Sequence, residues 1–115
     1  MWKYLILALM VSMLILSAGM AGAQQKASAK EGEKIFAERC AICHFPDKTD
    51  TKVGPGLKGL FKAKKFPKSG KPITVASLKE WILSGAPQAV PPMPPFKGLL
   101  SDKQIGDLIE YLKTL

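Results

Sequence analysis

Residues 40–44 read C-A-I-C-H and hold both cysteines and the single histidine of the chain. A C-x-x-C-H run is the attachment signature of c-type haem. The spacing has a chemical reason. On a helix, two thiols three residues apart share one face and can reach two substituents on one edge of a flat macrocycle. The next residue, His44, can then bring an imidazole nitrogen under the iron. A thioredoxin-like site also uses C-x-x-C, but it requires a βαβ setting, and no alternating strand pattern is present. A four-ligand zinc site would need more cysteine or histidine than the chain contains. A structural disulfide over a two-residue gap is a weak reading, because such tight loops belong to redox motifs.

The residues before this motif read as an export signal. Lys3 supplies a positive start, Leu5 to Ala18 form a nearly unbroken apolar run, and Ala21-Gly22-Ala23 is a small-residue cleavage site. Residues 1–23 are therefore expected to be a secretory signal peptide cut before Gln24. The rival is an uncleaved anchor, since the uncharged stretch from Leu5 to Ala23 approaches the ~20 residues that span a bilayer. Residues 24–29 form a short polar lead-in, and residues 30–115 are expected to be one small domain. Of 115 residues, 92 would remain after cleavage. A domain of that size gains from a group that fills its interior.

The charge is uneven. Without Lys3 there are 16 basic residues against nine acids, a net +7. No acid occurs between Asp50 and Glu80, whereas Lys52, Lys58, Lys62, Lys64, Lys65, Lys68, Lys71 and Lys79 all fall there. Such a run suits either an acidic partner or plain solvation. Nucleic acid fits poorly, because Arg39 is the only arginine and no stacking platform or binding motif accompanies the lysines.

Three helices are predicted. Ser28 and Glu31 read as a capping box for a helix over about 29–42, with Ile35, Phe36 and Cys40 on one face. Thr74 reads as the N-cap and Gly85 as the stop of a second helix over 75–84, with Leu78, Trp81 and Ile82 as its stripe. Ser101 and Gln104 read as a capping box for a third over 102–115, where Ile105, Leu108, Ile109, Leu112 and Leu115 keep the helical period. Between them lie proline- and glycine-rich segments at 53–73 and 87–98. Loops longer than roughly 12 residues usually serve a site. The expected fold is all-α, with three main helices and two long loops enclosing one group.

Methionine is the common sixth ligand of electron-transfer haem iron. Met1, Met10, Met13 and Met20 lie in the signal segment, leaving Met93, inside V-P-P-M-P-P-F at 90–96. Prolines lower the entropy lost in ordering such a loop. The other reading of Met93 is a lone core or surface side chain.

With these residues in view, the chain from about Gly32 to Leu115 resembles the class I, monohaem cytochromes c. G-E-K-I-F-A-E-R-C-A-I-C-H at 32–44 is similar to the family's first helix and haem site, G-P-G-L at 54–57 to its G-P-x-L, M-P-P-F at 93–96 to its distal loop, and I-E-Y-L at 109–112 to its last helix. The resemblance implies the cytochrome c fold and one covalent haem c. It implies thioether bonds from Cys40 and Cys43, iron ligation by His44 and Met93, and a hydrogen bond from His44 to the Pro55 carbonyl. It further implies that Gly32 and Phe36 cross Tyr111 and Leu112. Trp81 suits the haem pocket and the core equally. One departure is visible: the tyrosines are Tyr4 and Tyr111, so no mid-chain tyrosine stands near the distal sulfur.

The function expected is one-electron transfer in the periplasm, or at the outer face of the cytoplasmic membrane if the N-terminal segment stays attached. The partners expected are a reductase and an oxidase with acidic docking faces. Two alternatives stay open: a haem subunit fixed in a larger membrane complex, and a gas-binding sensor or peroxidase-like protein. No nucleophile–base pair, phosphate loop or paired carboxylates point to an enzyme, and no catalytic residue is expected.

Overall fold

The computed structural model describes residues 1–2, 25–67 and 69–115. Residues 3–23 of the expected signal, the start expected at Gln24, and Lys68 lie outside the described residues. Three helices are present among those described: α1 (Ala29–Arg39), α2 (Val75–Ser84) and α3 (Asp102–Leu112). Only isolated bridges, and no strands, accompany them there. No helix among the described residues is long and apolar enough to cross a membrane.

Each helix starts where a hydroxyl can satisfy its first amides. Thr74 and Ser101 both form reciprocal boxes, with Ser77 and Gln104 respectively. The Ser77 half of the first box adds to the cap read from Thr74 alone. Ser28 makes only half of the expected box. Its hydroxyl accepts from Glu31 N at 3.4 Å, but its own amide donates to Asp107 Oδ1 at 2.7 Å. The Glu31 carboxylate takes Lys34 instead, at 2.9 Å.

Two helices end earlier than their apolar periods suggest. α1 stops at Arg39 rather than Ile42, because Cys40 is already its C-cap and the chain turns there. α3 stops at Leu112, with Lys113 as its cap, although Leu115 still packs against the core. α2 ends at Ser84, and its cap Gly85 takes φ 70° and ψ −170°, a conformation open to glycine because it has no Cβ.

The core lies where α1 crosses α3, and α2 meets α3 over a smaller area. Phe36, Ile82, Phe96, Leu100, Ile105, Leu108, Ile109 and Leu112 form it. The crossing is close because Gly32 has no side chain. A Cβ there would strike the Asp107 carbonyl and Tyr111 Cβ. One turn on, Phe36 meets Tyr111 with ring centres 5.4 Å apart and planes tilted by 55°. Such a pair adds roughly 0.5–1.5 kcal/mol to the burial of its rings.

The first long loop is pinned to α2. Phe66 N donates to Lys71 O and Ile73 N to Lys64 O, which draws residues 64–66 against residues 71–73. Trp81, half-buried on α2, packs its ring 5.5 Å from that of Phe66.

Candidate functional site

The C-A-I-C-H stretch is a turn, not a helix. Cys40 N and Ala41 N both donate to Phe36 O, and Cys43 N and His44 N both donate to Cys40 O at 3.0 and 2.9 Å. These bonds close the turn at the end of α1 and place Cys40 and Cys43 at its two ends. The cysteines are not joined to each other. Burial, then the neighbouring Cys43, pushes the Cys40 thiol up to about 11.

A second segment clamps the turn from outside. Val53 N and Gly54 N donate to Cys43 O at 3.2 and 2.7 Å, and Leu57 N donates to Phe45 O at 2.8 Å. Between them, His44 Nδ1 lies 2.8 Å from Pro55 O. A carbonyl only accepts, so the proton of this bond sits on Nδ1, and in the neutral ring that leaves the lone pair on Nε2. Gly54 makes this approach possible, because a Cβ there would run into the His44 ring.

Met93 is held by a pair of backbone hydrogen bonds. Ala86 N donates to Met93 O at 2.9 Å, and Met93 N donates to Ala86 O at 3.2 Å. Four prolines flank Met93, and none has an amide to give. The loop therefore docks through the amides it does have. Phe96 N caps Ile82 O at 3.0 Å and Lys97 N caps Leu83 O at 3.2 Å, satisfying carbonyls near the end of α2.

The structure thus sets Cys40 and Met93 against one apolar core cluster, beside half-buried Ala41, Leu57, Leu60, Phe61 and Leu83. Cys43, His44 and Pro55 are drawn together on the turn and its clamp. Two thiols, one imidazole with a free Nε2, one thioether and an apolar wall form a donor set that suits a covalent iron macrocycle. It suits a simple metal ion poorly, and no group of three or more His, Cys, Asp or Glu side chains capable of holding one occurs among the described residues. Sequence reasoning missed Lys52, whose ammonium donates to the Ala41 carbonyl at 2.8 Å. It also missed Gly54 as the space for His44. Only the G-P pair at 54–55 hinted at the latter.

An all-α fold wrapped around a C-x-x-C-H turn, with a methionine loop on the same core, defines a small haem-bearing electron-transfer protein. Comparison with known proteins agrees. The cytochrome c family model matches residues 29–115. Cytochrome c of Guizotia abyssinica is 34% identical over 98 residues, covering 75% of this chain and 88% of that one. The cytochrome c subunit of a quinone alcohol dehydrogenase from Gluconobacter oxydans is 30% identical over 94 residues, which is 71% of this chain and 17% of the other. Among solved structures, cytochrome cH from Methylobacterium extorquens is 34% identical and superposes with a TM-score of 0.55, covering 77% of this chain and all of that one.

The chain belongs to the cytochrome c family. It is a class I monohaem type that carries covalently bound haem c and moves electrons between redox proteins; it is not an enzyme.

Proposed function

We propose that this cytochrome is an exported, periplasmic one-electron carrier. Residues 1–23 direct export and are removed, and residues 30–115 are the working domain. Cys40 and Cys43 hold the haem through thioether bonds, and His44 and Met93 are the axial ligands. The observation that carries this reading is the contact between His44 Nδ1 and Pro55 O. It favours the tautomer that leaves Nε2 available as a ligand, and it strengthens that nitrogen as a donor.

The haem supplies the Fe(III)/Fe(II) couple; His/Met ligation and an apolar setting favour a relatively high potential. The chain's residues do the rest. Pro55 holds the imidazole in one orientation. The bridge between Ala86 and Met93 and the caps on Ile82 and Leu83 keep the Met93 loop in one place. That arrangement leaves little to rearrange when charge moves. Phe36, Leu108 and the rest of the core exclude water from the inner side.

Acidic partners are met by the basic face contributed by residues 52–79. Lys58, Lys62, Lys64, Lys65 and Lys71 are exposed. They make no ion pair among the described residues. Steering of this kind speeds encounter and weakens with salt. A second reading, a haem subunit fixed in a larger complex, draws on the similarity to the alcohol dehydrogenase subunit. Stable co-purification with other chains would favour it.

The deciding experiment is the optical spectrum of the exported protein, oxidised and reduced, with carbon monoxide added to the reduced form. A low-spin c-type spectrum with the weak far-red iron–sulfur band, unchanged by carbon monoxide, is expected. A high-spin spectrum or ready carbon monoxide binding would reject Met93 as the ligand and favour a gas-binding or peroxidase-like role.

A further inference from the structure

The lysines of residues 52–79 are not equivalent. Lys79 Nζ reaches Asp102 Oδ1 at 3.7 Å. Lys52 folds back onto the C-A-I-C-H turn. Its ammonium donates to Ala41 O at 2.8 Å and lies 5.3 Å from the centre of the Phe45 ring. Lys48 lies 5.0 Å from the same ring without that bond.

We propose that Lys52 is a positioning residue of the haem-attachment turn, and that its fixed positive charge favours the reduced protein. The proposal rests on the reading that Cys40, Cys43 and His44 hold the haem.

The turn needs such a group. It follows the C-terminus of α1, where helix carbonyls and the macrodipole present negative charge. Phe36 O, Cys40 O and Cys43 O each receive two backbone amides. Ala41 O receives Lys52. A hydrogen bond from an ammonium is shorter and stronger than a neutral one. Contact with the Phe45 face favours the same side-chain position.

The backbone that carries Lys52 continues into Val53 and Gly54, which bond Cys43 O, and into Pro55, which faces His44. Lys52 therefore ties the start of the clamp to the middle of the turn, while Pro55 ties its end to the ligand. A positive charge held beside the attachment turn stabilises the redox state with one positive charge fewer.

The test uses the haem-loaded protein and compares K52M, K52R and K48M. K48M removes the same charge beside the same ring but breaks no bond to the turn. Two quantities are read: the Fe(II)/Fe(III) ratio at fixed ambient potential, and the carbonyl carbon shift of Ala41 in the reduced, diamagnetic protein. K52M should lower the ratio by about threefold or more, roughly 28 mV on the one-electron scale. It should also move the Ala41 carbonyl resonance. K52R should stay close to wild type in both, and K48M should change the ratio less and leave the resonance in place.

Loss of haem attachment in K52M, but not in K48M or K52R, would also support a positioning role. Equal effects of K52M and K48M, or an unmoved Ala41 resonance in K52M, would overturn it while leaving the attachment reading intact. Covalent haem in a variant lacking both Cys40 and Cys43 would instead sink the attachment reading, and the proposal with it.

Discussion

Ser28 donates its backbone N–H to the Asp107 carboxylate at 2.7 Å, across 79 residues of chain. Lys103, one turn back on α3, donates to the other oxygen at 2.7 Å. Asp107 is only 2% exposed, the single buried charged residue among those described. Its two oxygens are both engaged, so it ties the start of α1 to α3 without leaving an unpaired charge in the core.

A pH dependence follows. The Lys103 ammonium, then the Ser28 amide, hold the Asp107 carboxyl below its ordinary value of 3.8. A depressed folded pKa means that the unfolded chain binds the proton first. The stabilisation is therefore complete above the ordinary value and is lost as pH falls through the lower, folded one. Urea unfolding of wild type and Asp107→Asn, followed from about pH 6 to about pH 2, should show wild type more stable at the upper end and the difference shrinking toward the lower end. Parallel curves would show that the carboxylate charge is not involved.

Gly32→Ala should loosen the crossing of α1 and α3. The added Cβ meets the Asp107 carbonyl and Tyr111 Cβ, neither of which is the free end of a flexible side chain. The helices must separate, at a cost of roughly 1–3 kcal/mol. The urea midpoint should fall accordingly while the haem spectrum keeps its form. An unchanged midpoint would mean that the crossing relaxes freely.

Gly54→Ala should act on the site rather than on the core. Its Cβ would enter the space of the His44 ring and push the ring from Pro55. Covalent haem per chain, measured as the pyridine haemochrome, should drop, or a high-spin fraction should appear. Full loading with a wild-type spectrum would show that the clamp yields at no cost to ligation.

Met93→Ala removes the proposed sixth ligand but leaves the amide that pairs with Ala86. The far-red band should vanish and reduced protein should bind carbon monoxide. Retention of the band would assign the sulfur ligand elsewhere.

Reversing charge at Lys62, Lys64 and Lys65 together should slow reduction by an acidic redox partner and flatten its dependence on ionic strength. The spectrum should not change, because these exposed residues make no ion pair among the described residues. Salt-independent association in the wild type would remove the docking proposal altogether.

The sequence by itself determined the three helices, their order and the haem motif, because each depends on residues a few positions apart. Ser101 and Gln104 cap α3 through a contact three residues long, and C-A-I-C-H needs no distant residue to be recognised. The bounds were less legible. α1 ends at Arg39 because the Ala41 amide joins Cys40 on Phe36 O instead of continuing the ladder to Ala37 O, a shift that apolar spacing does not record.

Tertiary structure alone decided which residue serves which contact. The Ser28 amide leaves its local box for Asp107. The Lys52 ammonium settles on Ala41 O. Trp81 settles on Phe66. In each case the partner is brought near by the packing of helices and loops. The preference is set by through-space geometry and desolvation, which have no signature at a fixed spacing in the chain.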